Sequence, residues 1–549
     1  MSDDIPLSEL PKRKMVGWFD PSLFLSTGVE VLISRALGQR FDYRMMEDVG
    51  LPQPVFDYSR TRLNDPRTEL WFDYMADTGD GWESSYAMAC LVAQPRMELG
   101  TRWLPHGAFL LLGGDAVYPS ASKQEYSDRL VGPLAAALPA GSVPRRHIYA
   151  IPGNHDWYDG LVSFSRLFTQ GRALGAWQTQ QKRSYFALQL PHRWWLWAVD
   201  VQLESDIDVG QLNYFHWVAN KHVKRGDGII LASAEPDWLY RDIKNPTLES
   251  NLARLEEKII EPAGADVFVW LAGDTHNYRR HEDTRDSRYQ RITSGGGGAY
   301  LSATHEPATG GPASELKRVV RVGGETFHQQ FMYPSPATSL RLSFLNLLFL
   351  LKNWRFGMLT GLAYMTLTWG QLEGTVFQAA QLAVQRYPAR LVWLLLVLAA
   401  FIFYADRRVP TFRWLGGGTH GVVHILCAFA IAGEAAKVFG GPGVGLALVR
   451  LGVNFIGGAV VGSIVMGIYL LLAANLFAAH TDQAFAALRL KNFKHFLRFH
   501  IRADGVLEIF PIGVPDIPRE DQAASQYFLI EGPVTVDRAA ADPPPAPRG

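Results

Sequence analysis

Cysteine is almost missing from this chain: Cys90 and Cys427 are the only two among 549 residues. That leaves no disulfide framework and fits a reducing compartment. Net charge is missing too, since 53 basic residues face 53 acidic ones, and nothing in that balance points to a nucleic acid. The first residues also lack the pattern of a secretory leader. "MSDDIPLSELPKRKM" is acidic and polar, without a basic start or an apolar core, so the front part is expected to stay in the cytosol. The glycine-rich stretch "SGGGGAYLSATHE" from Ser294 to Glu306 lacks the Gly-Lys-Ser/Thr ending of a P-loop, which disfavours nucleotide binding in that mode.

What the chain does contain is unevenly placed. Its length calls for two or more parts, and the long apolar runs are gathered between about Leu340 and Ala479. The expected divisions are an N-terminal helical or extended segment over 1–65, a catalytic domain over 66–335, a membrane domain over 340–479, a small cytosolic β element over 480–535 and a disordered proline-rich tail over 536–549. About four spans are expected, at Phe356–Gly370, Leu391–Tyr404, Gly421–Phe439 and Asn454–Phe477, although only the last has the full length of about 20 residues. Before them, "LRLSFLNLLFLLKNWRF" suits a helix lying in the interface.

Positive charges before the first span and after the second and fourth put both termini on the cytoplasmic side of an inner or cytoplasmic membrane. Inside the third span His424 and Glu434 are ionisable, and Lys437 one turn on offers Glu434 a partner. Gly458 and Gly462 have the spacing that lets another helix approach closely. After the membrane, "HFLRFHIRADGVLEIFPIGVP" reads as a hairpin around Ala503-Asp504-Gly505.

Between residues 66 and 305 several strand-like apolar runs end on polar groups. Leu70–Met75 runs into "ADTGDG", Phe109–Leu112 into "GGDAVY", Ile148–Ile151 into "PGNHD", Ile229–Leu231 into "ASAEPDW" and Val267–Leu271 into "AGDTHNY". Carboxylates, an amide and imidazoles thus recur just past strand C-terminal ends, where open α/β sheets place ligand sites.

The order and spacing of Gly114-Asp115, Gly153-Asn154-His155-Asp156 and Gly273-Asp274-Thr275-His276 resemble the calcineurin-like metallophosphoesterase superfamily, here as a membrane-anchored, bacterial-type member. Asp77-Thr78-Gly79 and Gly114-Asp115-Ala116-Val117-Tyr118 are similar to the D-x-G and G-D-x-x-Y motifs of the purple acid phosphatase branch. The resemblance implies an α/β fold, a four-layer α/β/β/α sandwich, joined here to an α-helical transmembrane domain. It implies two divalent or mixed-valence metal ions. Asp77, Asp115, Tyr118 and His276 would hold the first, and a tyrosinate favours ferric iron.

At the second site this sequence departs from the family. Ser233-Ala234-Glu235-Pro236 stands where a lone His is expected, and Asp274 replaces the first His of G-H-x-H. If Glu235 and Asp274 take over, Asp115, Asn154, Glu235 and Asp274 form an oxygen-rich site that suits Mn, Mg or Fe better than Zn. The resemblance also implies that His155, held in its tautomer by Asp156, is catalytic, and that metal-activated hydroxide attacks phosphorus. Arg279 and His281, just past His276, could meet substrate phosphate. Asp80 reads as an outer partner or as a solvated loop acid.

Three functions follow as alternatives. One is a membrane-bound phosphoesterase, a hydrolase of monoesters or diesters, with lipid-linked phosphoesters favoured by the bilayer and soluble diesters still open. The second is a catalytically degenerate binding or regulatory membrane protein. The third is a function of the membrane domain itself.

Overall fold

The computed structural model describes residues 11–23, 53–62, 65–66, 68–201, 207–239, 250–306, 318–322, 324–368, 388–406, 410–518 and 526–538. Residues 24–52 of the expected N-terminal segment and residues 539–549 of the proline-rich tail lie outside these residues.

The fold is mixed α/β, with two nine-stranded sheets among the described residues. Runs such as Phe109–Gly113 and Gly228–Ala232 are apolar along their whole length and buried on both faces, as strands inside covered parallel sheets require. In one sheet Leu70–Met75, Phe109–Gly113 and Arg146–Ile151 lie side by side and parallel, with Met75 opposite Leu112 and Gly113 opposite Ile151. In the other Trp194–Ala198, Gly228–Ala232 and Asp266–Ala272 do the same, with Ala232 opposite both Ala198 and Leu271. The loops after these strands therefore emerge at matched heights.

The two sheets share one core, in which Phe72, Leu111 and Ile151 pack with Leu196, Ile230 and Leu271. Helices Trp82–Ala93, Gly132–Ala137 and Val162–Phe168 supply residues to the core on the outer face of the first sheet. Val209–Lys221 and Asn251–Leu255 do so for the second. Phe186–Gln189 and Trp194–Ala198 form a hairpin through Pro191-His192-Arg193, and its Trp194, Trp195 and Trp197 are core residues.

The segment after the long apolar helices corrects an expectation. Lys494–Ile501 and Leu507–Val514 make the expected hairpin, but they do not stand apart as a small element. Lys494–Ile501 pairs antiparallel with Leu70–Met75, placing Leu497 opposite Tyr74 and Ile501 opposite Leu70. The physical reason is twofold: Leu70–Met75 would otherwise be an apolar strand with an open edge, and Arg498 closes a buried ion pair with Asp73 at 2.7 Å.

All four expected spans are at least partly helical, as Trp354–Leu367, Pro388–Tyr404, Pro410–Val438 and Val444–Phe477. Thr411–Val438 and Val444–Phe477 are long and apolar enough to cross a membrane. The third helix starts at Pro410 rather than Gly421 because the Gly416-Gly417-Gly418 run stays helical. A Cβ at Gly417 would lie 2.8 Å from Ala405 Cβ, so this glycine is a contact point between helices. The Gly458 and Gly462 spacing acts as expected, for Cβ atoms there would meet Tyr364 and Thr360 at 2.6 and 2.7 Å. Lys437 does pair with Glu434, at 2.6 Å.

The single interfacial helix expected before the spans is broken into Pro336–Ser343, a 3-10 turn Phe344–Leu348 and Phe349–Lys352. Leu347 and Leu351 stand exposed on it, at 56% and 74%.

Candidate functional site

Four of the expected ligands sit on a backbone that L-residues seldom adopt: Asp77, Asp115, Asp274 and His276 have φ of 57°, 45°, 68° and 47°. Each such residue costs about 1–3 kcal/mol, a strain that persists where the surroundings over-determine it and that clusters at functional sites. The surroundings here are a lattice of backbone bonds between neighbouring loops. Asp77 N donates to Gly114 O and Thr78 N to Asp115 O, both at 3.0 Å, and Tyr118 N donates to Gly79 O at 3.0 Å. From the other sheet Gly273 N donates to Ala234 O at 3.0 Å. Gly79 has no room for a side chain: a Cβ would lie 2.2 Å from Ala116 O.

The side chains meet at one atom. Tyr118 Oη lies 2.9 Å from Asp77 Oδ1, 3.3 Å from Asp115 Oδ2 and 2.9 Å from His276 Nε2. Asp77 Oδ2 accepts from Asp274 N at 2.8 Å, and Asp115 Oδ1 from His155 N at 2.9 Å. All four side chains are buried. Burial first, then the charges of Asp115 and Asp274, hold the Asp77 carboxyl well above the usual carboxylate range. Burial and Asp274 push Asp115 up to about 8. Burial, with help from Lys494, lowers His276 to about 3, so its imidazole is neutral.

Carboxylates that repel one another in a buried pocket, beside a phenol and a neutral imidazole, are a donor set that a cation would stabilise. The residues fit a metal in that sense. Among the described residues no group of three His, Cys, Asp or Glu side chains forms a ready ligand set, and the Tyr118 hydroxyl holds the centre of the cluster.

The expected second site is assembled less fully. Asn154 Nδ2 donates to Tyr158 Oη at 3.0 Å. Ala234 fills the place beside Gly114, where a Cβ would come within 2.5 Å of Ala234 Cβ. Glu235 follows it in the same loop, its carbonyl accepting from Ser233 Oγ at 2.8 Å.

His155 is oriented, but not by Asp156. Its Nδ1 donates to the Pro119 carbonyl at 2.6 Å, which leaves Nε2 as the nitrogen with the lone pair. Asp156 instead accepts from Gly153 N at 2.8 Å, Ala116 N at 3.1 Å and the Tyr126 hydroxyl. Adjacent residues on the helical turn Asn154–Trp157 point apart, so the pair that is neighbouring in sequence does not meet in space. Asp156 thus positions the loop rather than the imidazole.

Arg279 and His281 are not brought to the site. They lie on the strand Tyr278–Asp283, opposite Thr293 and Arg291, and are 4% and 0% exposed. Tyr278 of that strand faces the core between the sheets, and alternation turns Arg279 and His281 to the other face. Sequence reasoning also missed Trp18, Tyr300 and Lys494, and left Asp80 open between an outer partner and a solvated acid. Asp80 is not a solvated acid: it is fully buried and accepts from Val16 N at 2.8 Å and Tyr300 N at 3.0 Å. Trp18 and Tyr300 border the site through ring contacts, and Lys494 donates to the Ala299 carbonyl from beneath it. A lysine opening an apolar strand is the one signal that could have marked Lys494.

No protein-family model matches the chain, and no curated protein matches it. Among solved structures it is similar to GAP50, the anchor in the inner membrane complex of Plasmodium, at 14% identity over 43% of this chain and 74% of that one, with a TM-score of 0.32. It is similar to purple acid phosphatase PPD1 from yellow lupin (Lupinus luteus) seeds at 12% identity over 48% of each chain, with a TM-score of 0.31. PhoD is a further neighbour, at 11% identity over 48% of this chain and 62% of that one, with a TM-score of 0.28. At such values the functional reading rests on the site itself.

Proposed function

We propose that the chain is a membrane-held, metal-dependent phosphoesterase. The two sheets and their flanking helices are read as a four-layer α/β/β/α body, and the helices between 354 and 477 as its membrane part, with the site on the cytoplasmic side. The observation that carries this reading is the convergence of Asp77, Asp115 and His276, all on left-handed turns, upon the Tyr118 hydroxyl.

Asp77, Asp115, Tyr118 and His276 would hold one ion, and Asp115, Asn154, Glu235 and Asp274 a second. Bound there, iron, manganese or magnesium would neutralise phosphoryl oxygens and acidify a water. The chain's own residues do the rest. The neutral His276 and the turns at Asp77 and Asp115 keep donor atoms aimed without reorganisation when substrate arrives. The Pro119 carbonyl holds the His155 ring so that Nε2 can take up a proton near a phosphate dianion and hand it to the leaving oxygen.

A degenerate binding protein is the second reading, favoured by Ala234 in the place of the expected His. Elemental analysis of detergent-purified protein, paired with hydrolysis of bis(p-nitrophenyl) phosphate and p-nitrophenyl phosphate, separates the two. The phosphoesterase reading expects bound metal and turnover, both lost in Asp115→Ala. Metal bound without turnover of either ester turns the assignment to the second reading.

A further inference from the structure

Residues 11–23 cross the candidate site as a strap with two anchored ends. On the site side Val16 N donates to Asp80 Oδ1 at 2.8 Å, Trp82 N donates to Arg13 O at 2.9 Å, and Arg13 pairs with Asp128 at 2.9 Å. On the other side Phe19 meets Phe349 and Phe356 edge-on, at ring distances of 5.1 and 5.7 Å, and Asp20 pairs with Arg355 at 2.6 Å. Between the ends stands Trp18. Its ring lies 5.7 Å from the His155 ring, 6.3 Å from Tyr118 and 6.1 Å from Tyr300, and Tyr300 lies 4.6 Å from the His276 ring.

Trp18 packs against two apolar clusters at once. One contains Val16, Tyr118 and Ala299 of the site. The other contains Phe349, Phe356, Met466 and Leu470 of the membrane part. A path of packed apolar side chains therefore leads through Trp18 from the site to helices whose Leu351, Trp354 and Met358 are exposed. A site for a freely diffusing phosphoester has no use for such a path, because its substrate would leave water only at the phosphate. Two further details fit a phosphate entering from this side. Trp18 Nε1 is buried with no partner, a donor lacking an acceptor. A cation borders the path, for a Cβ at Gly17 would lie 3.7 Å from Arg489 Nη1, and the Lys352 carbonyl holds that guanidinium in place.

We propose that Trp18 and Tyr300 wall a subsite for the apolar part of the substrate, so that the site takes a phosphoester whose hydrocarbon tail remains in the bilayer. The proposal rests on the phosphoesterase reading, and it makes Trp18 a substrate-positioning residue.

Photocapture tests it without requiring turnover. The full chain carrying Trp18→p-benzoylphenylalanine is placed in nanodiscs of phosphatidylethanolamine and phosphatidylglycerol and irradiated. The same substitution at Leu351 serves as a bilayer-facing reference, and at the exposed Trp103 as a water-facing one. The expected result is a phospholipid adduct at positions 18 and 351 and none at 103. Hexadecyl phosphate should lower the adduct at 18 at least about tenfold more effectively than ethyl phosphate. Capture at 351 alone, from protein that elutes as the parent does, overturns the proposal, and so does equal competition by the two phosphates. Lipid capture at 18 in protein that binds no metal and hydrolyses neither nitrophenyl ester keeps the subsite and removes the phosphoesterase reading, so the two failures are distinct.

Discussion

Replacing Arg498 by Met leaves Asp73 as a lone charge inside a sheet. Arg498 Nε donates to Asp73 Oδ1 at 2.7 Å and Nη2 to Oδ2 at 3.1 Å, with side-chain exposures of 0% and 2%. Removing one member of such a pair costs about 3–5 kcal/mol, most of it the penalty of the charge left behind. The remaining support for Asp73, an N–H from Gly107 at 3.2 Å and the charge of Arg146, does not replace the paired guanidinium of Arg498. At about 2 °C per kcal/mol for a large domain, the melting temperature should fall by about 6–10 °C. Thermal unfolding in detergent, followed by tryptophan fluorescence, reads this directly.

The damage should travel to the site. His495 N donates to Gly296 O at 3.0 Å, and in turn Gly297 N donates to Ala76 O and Ala299 N to Asp77 O, both at 2.8 Å. Loosening the Lys494–Ile501 strand therefore loosens the turn that presents Asp77. The double variant Asp73→Leu/Arg498→Met removes both charges, and it should recover most of the loss. A single variant that loses less than about 1 kcal/mol, or a double variant no better than the single, would refute the reasoning.

Two further predictions concern the site's glycine and a distant acid. Gly153→Ala places a Cβ 2.1 Å from Asp115 Oδ1 and 2.3 Å from Asp115 N; metal content and hydrolysis should drop to background at a stability cost of about 1–3 kcal/mol, and an active Gly153→Ala protein would contradict the geometry. Glu256, on the outer face of the second sheet, is raised from 4.5 to about 7, chiefly by burial. The folded state then binds more protons than the unfolded between those values, so this group lowers stability as pH rises through them and the loss is complete above pH 7. Glu256→Gln should flatten the melting temperature across that interval and raise it at about pH 8, and identical pH profiles for the two proteins would refute it.

The parts of the site legible in the sequence were those carried by short-range pattern. An apolar strand followed at once by Asp, Asn or His states both the geometry and the chemistry within ten residues, and the loops at Asp77, Asp115, Asn154 and His276 were found that way. What escaped reading depends on partners far along the chain or on local rotation. Asp80 looks like a loop acid until Val16 and Tyr300 supply its hydrogen bonds from 64 and 220 residues away. Arg279 and His281 follow His276 closely, yet the strand's alternation of faces turns them from the site. Asp156 adjoins His155 but points to backbone amides. The strap is invisible because "RKMVGWFD" has no periodicity, and only the contacts on either side give Trp18 a role.

The long-range partners also change how the chain divides. The strand Glu325–Tyr333 lies in one sheet between Tyr278–Asp283 and Val319–Val322, just before the long apolar helices, and Lys494–Ile501 enters the other sheet soon after them. The helices from 354 to 477 are thus an insertion between two strands of one body, not an anchor appended to a finished domain. Four separate stretches border the site: the strap, the strand-end loops, the glycine loop at 295–298 and the returning hairpin. Two of these, the strap through Phe19 and Asp20 and the hairpin through the helix Thr481–Leu488, lead directly to the membrane helices. Trp18 and Tyr300 pack on the cluster that holds Phe349, Phe356 and Met466, and Lys494 donates to the Ala299 carbonyl beside it, so a displacement of those helices would be felt at the site through these side chains.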